Sequence, residues 1–325
     1  MERTKLVRIS SITKKLVVAL LGAFLLLFLL FHMCANLCVL REDDGAWYSA
    51  FCHFMGSNIF VKVAEVVLLA VLLLHIVISL LLQVGNHKAR PVGYHERSRT
   101  RTAKGSKLAM WTGILLLAFL IMHFFQFYFV KIGLVEGSYM TKVESVYTEP
   151  VVSLQQAHRQ LSVSAEEFVS RYEQELPSMA GQYSEVDYQR MQENIAELRR
   201  VVPVVSLLDS AMNEKTMITK DGKWLRHLTV QDKAMLKAAI DDIDVEPDFY
   251  FQARNLFKNP IMVCLYILAF VVLWIHMRHA FESAFQTLGL NNYKYSRAIE
   301  VIGIIYAWLI CLGFAAVPIY VLLFV

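Results

Sequence analysis

Five long runs of hydrophobic residues, separated by polar segments, dominate the sequence. Each run has about 20 residues or more, the length that an α-helix needs to cross the roughly 30 Å hydrocarbon core of a bilayer. The runs cover residues 16–40, 59–83, 108–130, 261–285 and 298–325. We therefore predict five transmembrane helices. The first run lacks the small-residue cleavage pattern of a signal peptide, so we expect it to be retained.

A polar segment, residues 131–258, separates the third run from the fourth. Within it, Ser164, Ser184 and Thr229 each stand three positions before an acidic residue and precede an amphipathic stretch, which is typical of a helix N-terminus. Residues 185–200 and 230–243 carry apolar residues at helical spacing, and Pro177 and Pro203 are expected to break the helices. The predicted fold is an all-α membrane protein. Its transmembrane helices lie in 1–130 and 259–325, on either side of a helical extramembrane insertion.

The composition agrees with lipid as the main solvent, since hydrophobic residues make up 56% of the chain and the mean hydropathy is +0.45. The net charge of +4 conceals a division: the insertion carries 15 Lys and Arg against 20 Asp and Glu, and the remainder 17 against 8. Basic residues are retained on the cytoplasmic side of a membrane. The basic segments before the first run and between the second and third predict a cytoplasmic N-terminus, with the insertion and the C-terminus outside. We interpret the positive charge as a topology signal and a docking face, not as nucleic-acid binding.

None of the five cysteines forms a metal-type CxxC pair. Cys34, Cys38 and Cys52 fall near the predicted outer face. We interpret the cysteines as small apolar residues of helices. A disulfide between Cys38 and Cys52 is the alternative.

Four of the five predicted spans contain a histidine, namely His32, His75, His123 and His276. An ionisable residue inside a membrane is costly and by default indicates a partner or a function. At about 1.5 Å per helical residue, His32 and His123 lie roughly 23 Å from the cytoplasmic ends of their runs, and His75 and His276 roughly 13 Å. The histidines therefore form two pairs, each with both members at one depth.

Bis-histidine ligation of haem b needs two imidazoles from different helices at the same height. The predicted pairs meet this requirement, so we expect two haem b groups in a four-helix-type bundle. His32 and His123 would bind the outer haem iron, and His75 and His276 the inner one. A lone intramembrane histidine is more often hydrogen-bonded to a neighbouring helix. Histidines that relay protons would not need equal depths.

His279 follows His276 by three residues, on nearly the same helix face, and is the alternative ligand. His279 would lie about 4 to 5 Å closer to the cytoplasm, so depth favours His276.

Four further residues are candidate contacts of haem or quinone. Arg278, together with Arg99 and Arg101 of the basic loop, is a candidate to meet the haem propionates, although cytoplasmic positive charge alone explains each arginine. His53, just before the second span, either lines a quinone pocket near the outer haem or caps a helix.

These features resemble a family, the di-haem cytochrome b membrane anchors of succinate dehydrogenase and fumarate reductase of the b558 type. The similarity covers the spans and their short loops. It rests on the sequences HFMGS at 53–57, ARPVGY at 89–94, TG at 112–113 and, most specifically, HMRHAFESAFQTLG at 276–289.

The resemblance implies an enzyme complex of a flavoprotein subunit with FAD, an iron–sulfur subunit and this anchor. The anchor would pass electrons between the iron–sulfur subunit and menaquinone through two haem b groups, in the tricarboxylic acid cycle or in anaerobic respiration. It also implies a bacterial inner membrane, dicarboxylate chemistry on the partner subunits, and His276 as the ligand. The long insertion departs from the family, and Trp274 stands where some fumarate reductase anchors have a glutamate.

Two other functions fit the sequence. A di-haem b subunit of a formate dehydrogenase or hydrogenase would keep the histidine pairs and dock a different soluble partner. A transporter or receptor would use the insertion as its working part and the histidines as proton relays.

Overall fold

The computed structural model describes residues 10–88, 102–214, 217–290, 292 and 294–325. In these residues the helices are α1 Ser11–Leu37, α2 Ala46–Ser57, α3 Ile59–Lys88, α4 Thr102–His123, α5 Phe129–Lys131, α6 Val143–Val146, α7 Glu149–Leu161, α8 Ala165–Met179, α9 Glu185–Asn213, α10 Val230–Ala239, α11 Phe249–Phe257, α12 Pro260–Thr287 and α13 Ser296–Phe324. The strands are β1 Tyr139–Lys142, β2 Trp224–Leu228 and β3 Val245–Pro247. A 3-10 turn, Cys38–Leu40, follows α1, and a π-helical turn, Phe124–Tyr128, joins α4 to α5.

The chain divides into two compact units. The first, which we call the helical unit, comprises Met1–Phe124 and Ala253–Val325, and the second, the insertion unit, comprises Phe125–Gln252. Both boundaries fall six residues before those predicted for the insertion, at 131 and 259.

Within the part of the chain that the structure describes, five helical segments are long and apolar enough to cross a membrane: Ser11–Leu40, Ile59–Asn86, Leu108–Lys131, Pro260–Thr287 and Ser296–Phe324. Each coincides with one predicted span, so the prediction of a mostly helical, multi-pass membrane protein is confirmed. Large apolar side chains remain on the outside, since Phe60 is 80% exposed and Val66 is 67% exposed. An apolar surface of this extent is suited to lipid.

Helices α1 and α12 are the most connected elements of the helical unit. α1 packs against α3, α12 and α13, and α12 packs against α4 and α13. Two glycines of α13 permit close approach, because a Cβ at Gly303 would lie 2.7 Å from Cδ1 of Phe281, and one at Gly313 would meet the side chain of Met33. Small residues serve this purpose between helices in membranes.

The insertion unit contains a three-stranded antiparallel sheet in the order β2–β1–β3. Tyr139 of β1 pairs with Leu228 of β2 and with Pro247 of β3. Helices α7, α8 and α9 pack against one another beside it, and Val204, Val205 and Leu208 of α9 enter the common hydrophobic core. The insertion therefore contains the predicted helices together with a small sheet that was not predicted. The strands are three to five residues long, too short to give a periodic signal.

The predicted helix starts of the insertion are confirmed. The side-chain oxygens of Ser164, Ser184 and Thr229 each accept a hydrogen bond from the backbone N–H three residues later. Asp232 also returns a bond to the Thr229 backbone, which completes a capping box.

The prediction that two prolines break the helices was wrong. Pro177 lies inside α8 and Pro203 inside α9. A proline in a helix loses one backbone hydrogen bond, but the neighbouring Val202 and Val204 are buried in the core of the unit. Tertiary packing of these valines holds the helix through Pro203.

A buried ion pair links β2 to the start of α11 within the insertion unit. Nε of Arg226 donates to Oδ2 of Asp248 at 2.7 Å, and Nη2 donates to Oδ1 at 2.8 Å. The side chains are 4% and 0% exposed. Asp248 also accepts the backbone N–H of Phe251 at 3.1 Å, so the same carboxylate fixes the first turn of α11.

Candidate functional site

The four intramembrane histidines all belong to the helical unit. His32 lies on α1, His75 on α3, His123 at the end of α4 and His276 on α12. Each side chain is half-buried, although the surfaces of these helices are largely apolar. The four histidines are therefore turned towards other helices, as expected for ionisable groups in a membrane.

The two histidines predicted at the outer depth lie together. The ring centroids of His32 and His123 are 6.1 Å apart, and the ring planes make an angle of 83°. Aromatic side chains surround them: Phe28 stacks on His32 at 5.3 Å, and Phe119 stacks on His123 at 5.7 Å. Phe314 of α13 lies 5.6 Å from His32. The outer pair thus sits in an aromatic and largely apolar environment.

A hydrogen bond joins His123 to α12, since Nδ1 of His123 lies 3.2 Å from the hydroxyl of Tyr266. Tyr266 was not among the residues predicted for the site. A usable signal was present, because Tyr266 is a polar side chain inside an apolar span and precedes His276 by ten residues.

The two histidines predicted at the inner depth each face a glycine of a neighbouring helix. A Cβ added at Gly22 of α1 would lie 3.5 Å from Cε1 of His75, and one added at Gly113 of α4 would lie 3.7 Å from Cε1 of His276. His75 lies close enough to His276 for their charged forms to interact. The structure therefore brings the members of the inner pair into one neighbourhood.

One ring nitrogen of the inner pair has no hydrogen-bond partner among the described residues. Nδ1 of His75 is buried there without a hydrogen-bond partner. By contrast, Nδ1 of His276 lies 3.1 Å from Oγ1 of Thr112 on α4. Thr112 is buried, with 5% of its surface exposed.

The glycines also fix the distance between the two levels. Gly22 precedes His32 by ten residues on α1, and Gly113 precedes His123 by ten residues on α4. Ten residues of α-helix rise about 15 Å. On both α1 and α4, the glycine beside an inner histidine therefore lies about 15 Å from the outer histidine. This height difference is somewhat larger than the difference of about 10 Å expected from the ends of the hydrophobic runs.

His279 and Arg278 occupy different surroundings on α12. His279 is half-buried and close enough to His276 to interact with its charge. Arg278 is exposed, and its guanidinium lies 5.7 Å from the centre of the Trp274 ring. Arg278 therefore has a contact of its own within α12.

The remaining candidates lie elsewhere. His53 is half-buried on α2, and its backbone carbonyl accepts the Ser57 hydroxyl at 2.9 Å. Arg99 and Arg101 lie outside the described residues. The structure contains no disulfide between Cys38 and Cys52.

A cavity of about 250 Å³ lies between α1, α12 and α13. Its lining includes Leu26, Phe281 and Tyr306, and none of the four histidines. The Tyr306 hydroxyl donates to the Leu26 carbonyl at 2.5 Å, so its proton is already used. The cavity wall is therefore almost wholly apolar.

Among the described residues, no three His, Cys, Asp or Glu side chains form a group able to hold a metal ion. A haem iron takes only one or two protein ligands, so a pair of histidines belongs to a different class of site.

No family model matches the sequence, and no curated protein and no solved structure matches the chain.

Proposed function

We propose that this chain is the di-haem cytochrome b membrane anchor of a succinate dehydrogenase or fumarate reductase complex in a bacterial inner membrane. The observation that carries the proposal is the arrangement of four intramembrane histidines as two pairs at two heights. The resemblance of 276–289 to the family motif assigns the complex.

The spacing of the outer pair fits a shared iron. Metal–imidazole bonds are about 2 Å long, so two imidazoles that would share one metal must lie close together. The centroids of His32 and His123 are separated by 6.1 Å. The stacked rings of Phe28 and Phe119 supply the apolar walls that a porphyrin requires.

The inner pair fits on different grounds. Buried polar atoms without a partner are costly in apolar surroundings, and Nδ1 of His75 is such an atom among the described residues. Gly22 and Gly113 leave the helix surface beside each ring without a side chain. This absence of side chains suits a flat macrocycle between the helices.

In this proposal His32, His75, His123 and His276 hold the two haem groups. When bound, haem b supplies one-electron transfer between the iron–sulfur subunit and menaquinone. The two pairs would hold the groups at two levels of the bundle, since Gly22 and Gly113 precede His32 and His123 by ten residues, or about 15 Å of helix. Phe28, Phe119 and Phe314 exclude water from the outer level, and Tyr266 orients the ring of His123.

The outlying residues have secondary roles in the proposal. Arg278, Arg99 and Arg101 would meet haem propionates at the cytoplasmic end, and His279 would be a neighbour of the inner ligand. His53 would contact menaquinone on the outer side.

The proposed orientation follows the charge distribution. Outside the insertion the chain carries 17 Lys and Arg against 8 Asp and Glu, and basic segments remain cytoplasmic. This orientation gives a cytoplasmic N-terminus, a periplasmic insertion and a periplasmic C-terminus. The basic cytoplasmic segments would then form the docking face for the iron–sulfur subunit.

The assignment of partners is tested by purifying the tagged full chain from its native membrane in a mild detergent. We expect a flavoprotein containing FAD and an iron–sulfur subunit to co-purify, with succinate oxidation or fumarate reduction in the same fraction. Recovery of a formate dehydrogenase or hydrogenase catalytic subunit would assign the chain to that complex. Recovery of the chain without a redox partner and without haem would favour a transporter or receptor. An untagged strain is the matched control.

A further inference from the structure

We propose that Thr112 is a positioning residue that holds His276 with its proton on Nδ1 and leaves Nε2 unprotonated for the inner haem iron. This inference rests on the proposed function, because it concerns how one ligand of the inner pair is prepared.

The contacts of the Thr112 hydroxyl decide the direction of its hydrogen bonds. Oγ1 lies 3.0 Å from the carbonyl oxygen of Leu108 and 3.1 Å from that of Ala109. A hydroxyl has one proton and two acceptor lone pairs, and a carbonyl oxygen can only accept. We assign the hydroxyl proton to these carbonyls of its own helix, because buried helical threonines often bond in this way.

With its proton committed to the helix, Oγ1 acts as the acceptor towards His276. Nδ1 of His276 lies 3.1 Å away, and with this assignment it donates the third hydrogen bond of the group. A neutral imidazole carries one proton, so a proton on Nδ1 leaves a lone pair on Nε2. In the other tautomer Nε2 would carry the proton and would be unable to bind a metal.

The next residue on α4 assists this arrangement. The Cβ position of Gly113 is 3.7 Å from Cε1 of His276. The Thr112 hydroxyl thus contacts Nδ1, and Gly113 leaves room for the adjacent Cε1 because it has no side chain. Thr112 therefore holds the ring at Nδ1.

An acceptor for the second ring N–H makes a ligating histidine more basic. A more basic ligand stabilises the ferric state of a haem, so loss of the acceptor should raise the reduction potential of the haem that His276 binds. Thr112 precedes His123 by eleven residues, or about 16 Å along α4. The haem of the outer pair should therefore be unaffected.

The test uses the full chain in membranes or as the purified complex, with an optical redox titration of its b-type haem. Thr112→Val keeps the shape and removes the acceptor, and Thr112→Ser is the matched control because it keeps the hydroxyl. For Thr112→Val we expect the ratio of oxidised to reduced haem at a fixed potential to fall about tenfold. Only one of the two haem components of the titration, the one bound by His276, should change. A tenfold change corresponds to 59 mV for a one-electron couple. Thr112→Ser should titrate like the wild type.

The haem of the outer pair serves as an internal control, because its unchanged signal shows that the variant chain is folded. Loss of one haem in Thr112→Val with the other retained also supports the inference, since loss of such outer-shell partners weakens metal binding by about 10- to 100-fold. Two unchanged components, an equal shift of both, or loss of both with Thr112→Ser intact would overturn it. A wild-type chain without haem would instead reject the proposed function, so the two failures are distinguishable.

Discussion

His32 and His123, on helices α1 and α4, face each other with their ring centroids 6.1 Å apart. The next helices carry the second pair, with His75 beside Gly22 and His276 beside Gly113. Each glycine stands ten residues before an outer histidine. Helices α1 and α4 therefore share one arrangement, with a glycine at the inner level and a histidine at the outer level.

This pairing predicts the result of replacing each histidine singly by alanine. His32→Ala and His123→Ala should abolish the same haem signal, because both side chains would hold the same haem. His75→Ala and His276→Ala should abolish the other. The measurement is a reduced-minus-oxidised spectrum at low temperature, where the two α bands are compared. If His32→Ala and His276→Ala removed the same component, the assignment by height would be incorrect.

His279 provides a control for the choice of ligand. His279→Ala should retain both haem signals, because His276 is the histidine that lies beside Gly113 and contacts Thr112. Haem content per chain is the measurement. Retention of haem in His276→Ala together with its loss in His279→Ala would exchange the two roles.

The sequence predicted the membrane part of this fold well, for a physical reason. A helix in lipid must satisfy its backbone within one segment, so its signal is local and continuous. The five hydrophobic runs therefore coincided with the five long helices. In the insertion, the caps at Ser164, Ser184 and Thr229 were likewise local and were confirmed.

Features that depend on distant contacts were not predictable. The sheet pairs Tyr139 with Leu228 and Pro247, residues too far apart in sequence for any short pattern to reveal. Pro203 continues a helix because neighbouring valines are buried. In the candidate site, the histidines stood out as ionisable residues in apolar runs, and their depth predicted the pairs. The contacts of His123 with Tyr266 and of His276 with Thr112 depend on the packing of α4 against α12, which the sequence does not show.

The insertion unit should depend strongly on its buried ion pair. Arg226→Leu leaves the carboxylate of Asp248 buried without its partner, and breaking such a pair costs about 3 to 5 kcal/mol of unfolding free energy. Limited proteolysis and thermal unfolding of the full chain in detergent measure the loss. Arg200→Leu is the control, because Arg200 and Asp241 form an exposed pair at 3.4 Å, which contributes about 0 to 1 kcal/mol. Equal effects of the two substitutions would contradict the assigned role of Arg226.

The packing of α13 on α12 should fail when Gly303 is enlarged. A Cβ at this position would lie 2.7 Å from Cδ1 and 3.1 Å from Cγ of Phe281, so Gly303→Val must displace the ring or the helix. Overpacking of this kind costs about 1 to 3 kcal/mol. Gly85→Ala on α3 is the matched control, since nothing lies within 4 Å of its Cβ position. Thermal denaturation in detergent should show a lower midpoint for Gly303→Val only, and an unchanged midpoint would contradict the close contact.

The central claim is that four histidines of this chain hold two haem b groups. The most direct measurement is the haem content of the purified full chain, obtained from its pyridine haemochrome spectrum together with the protein concentration. The account predicts two haem b groups per chain, with two components in a redox titration. A purified, folded chain without a b-type α band, or with a single haem that survives replacement of either pair, would contradict it.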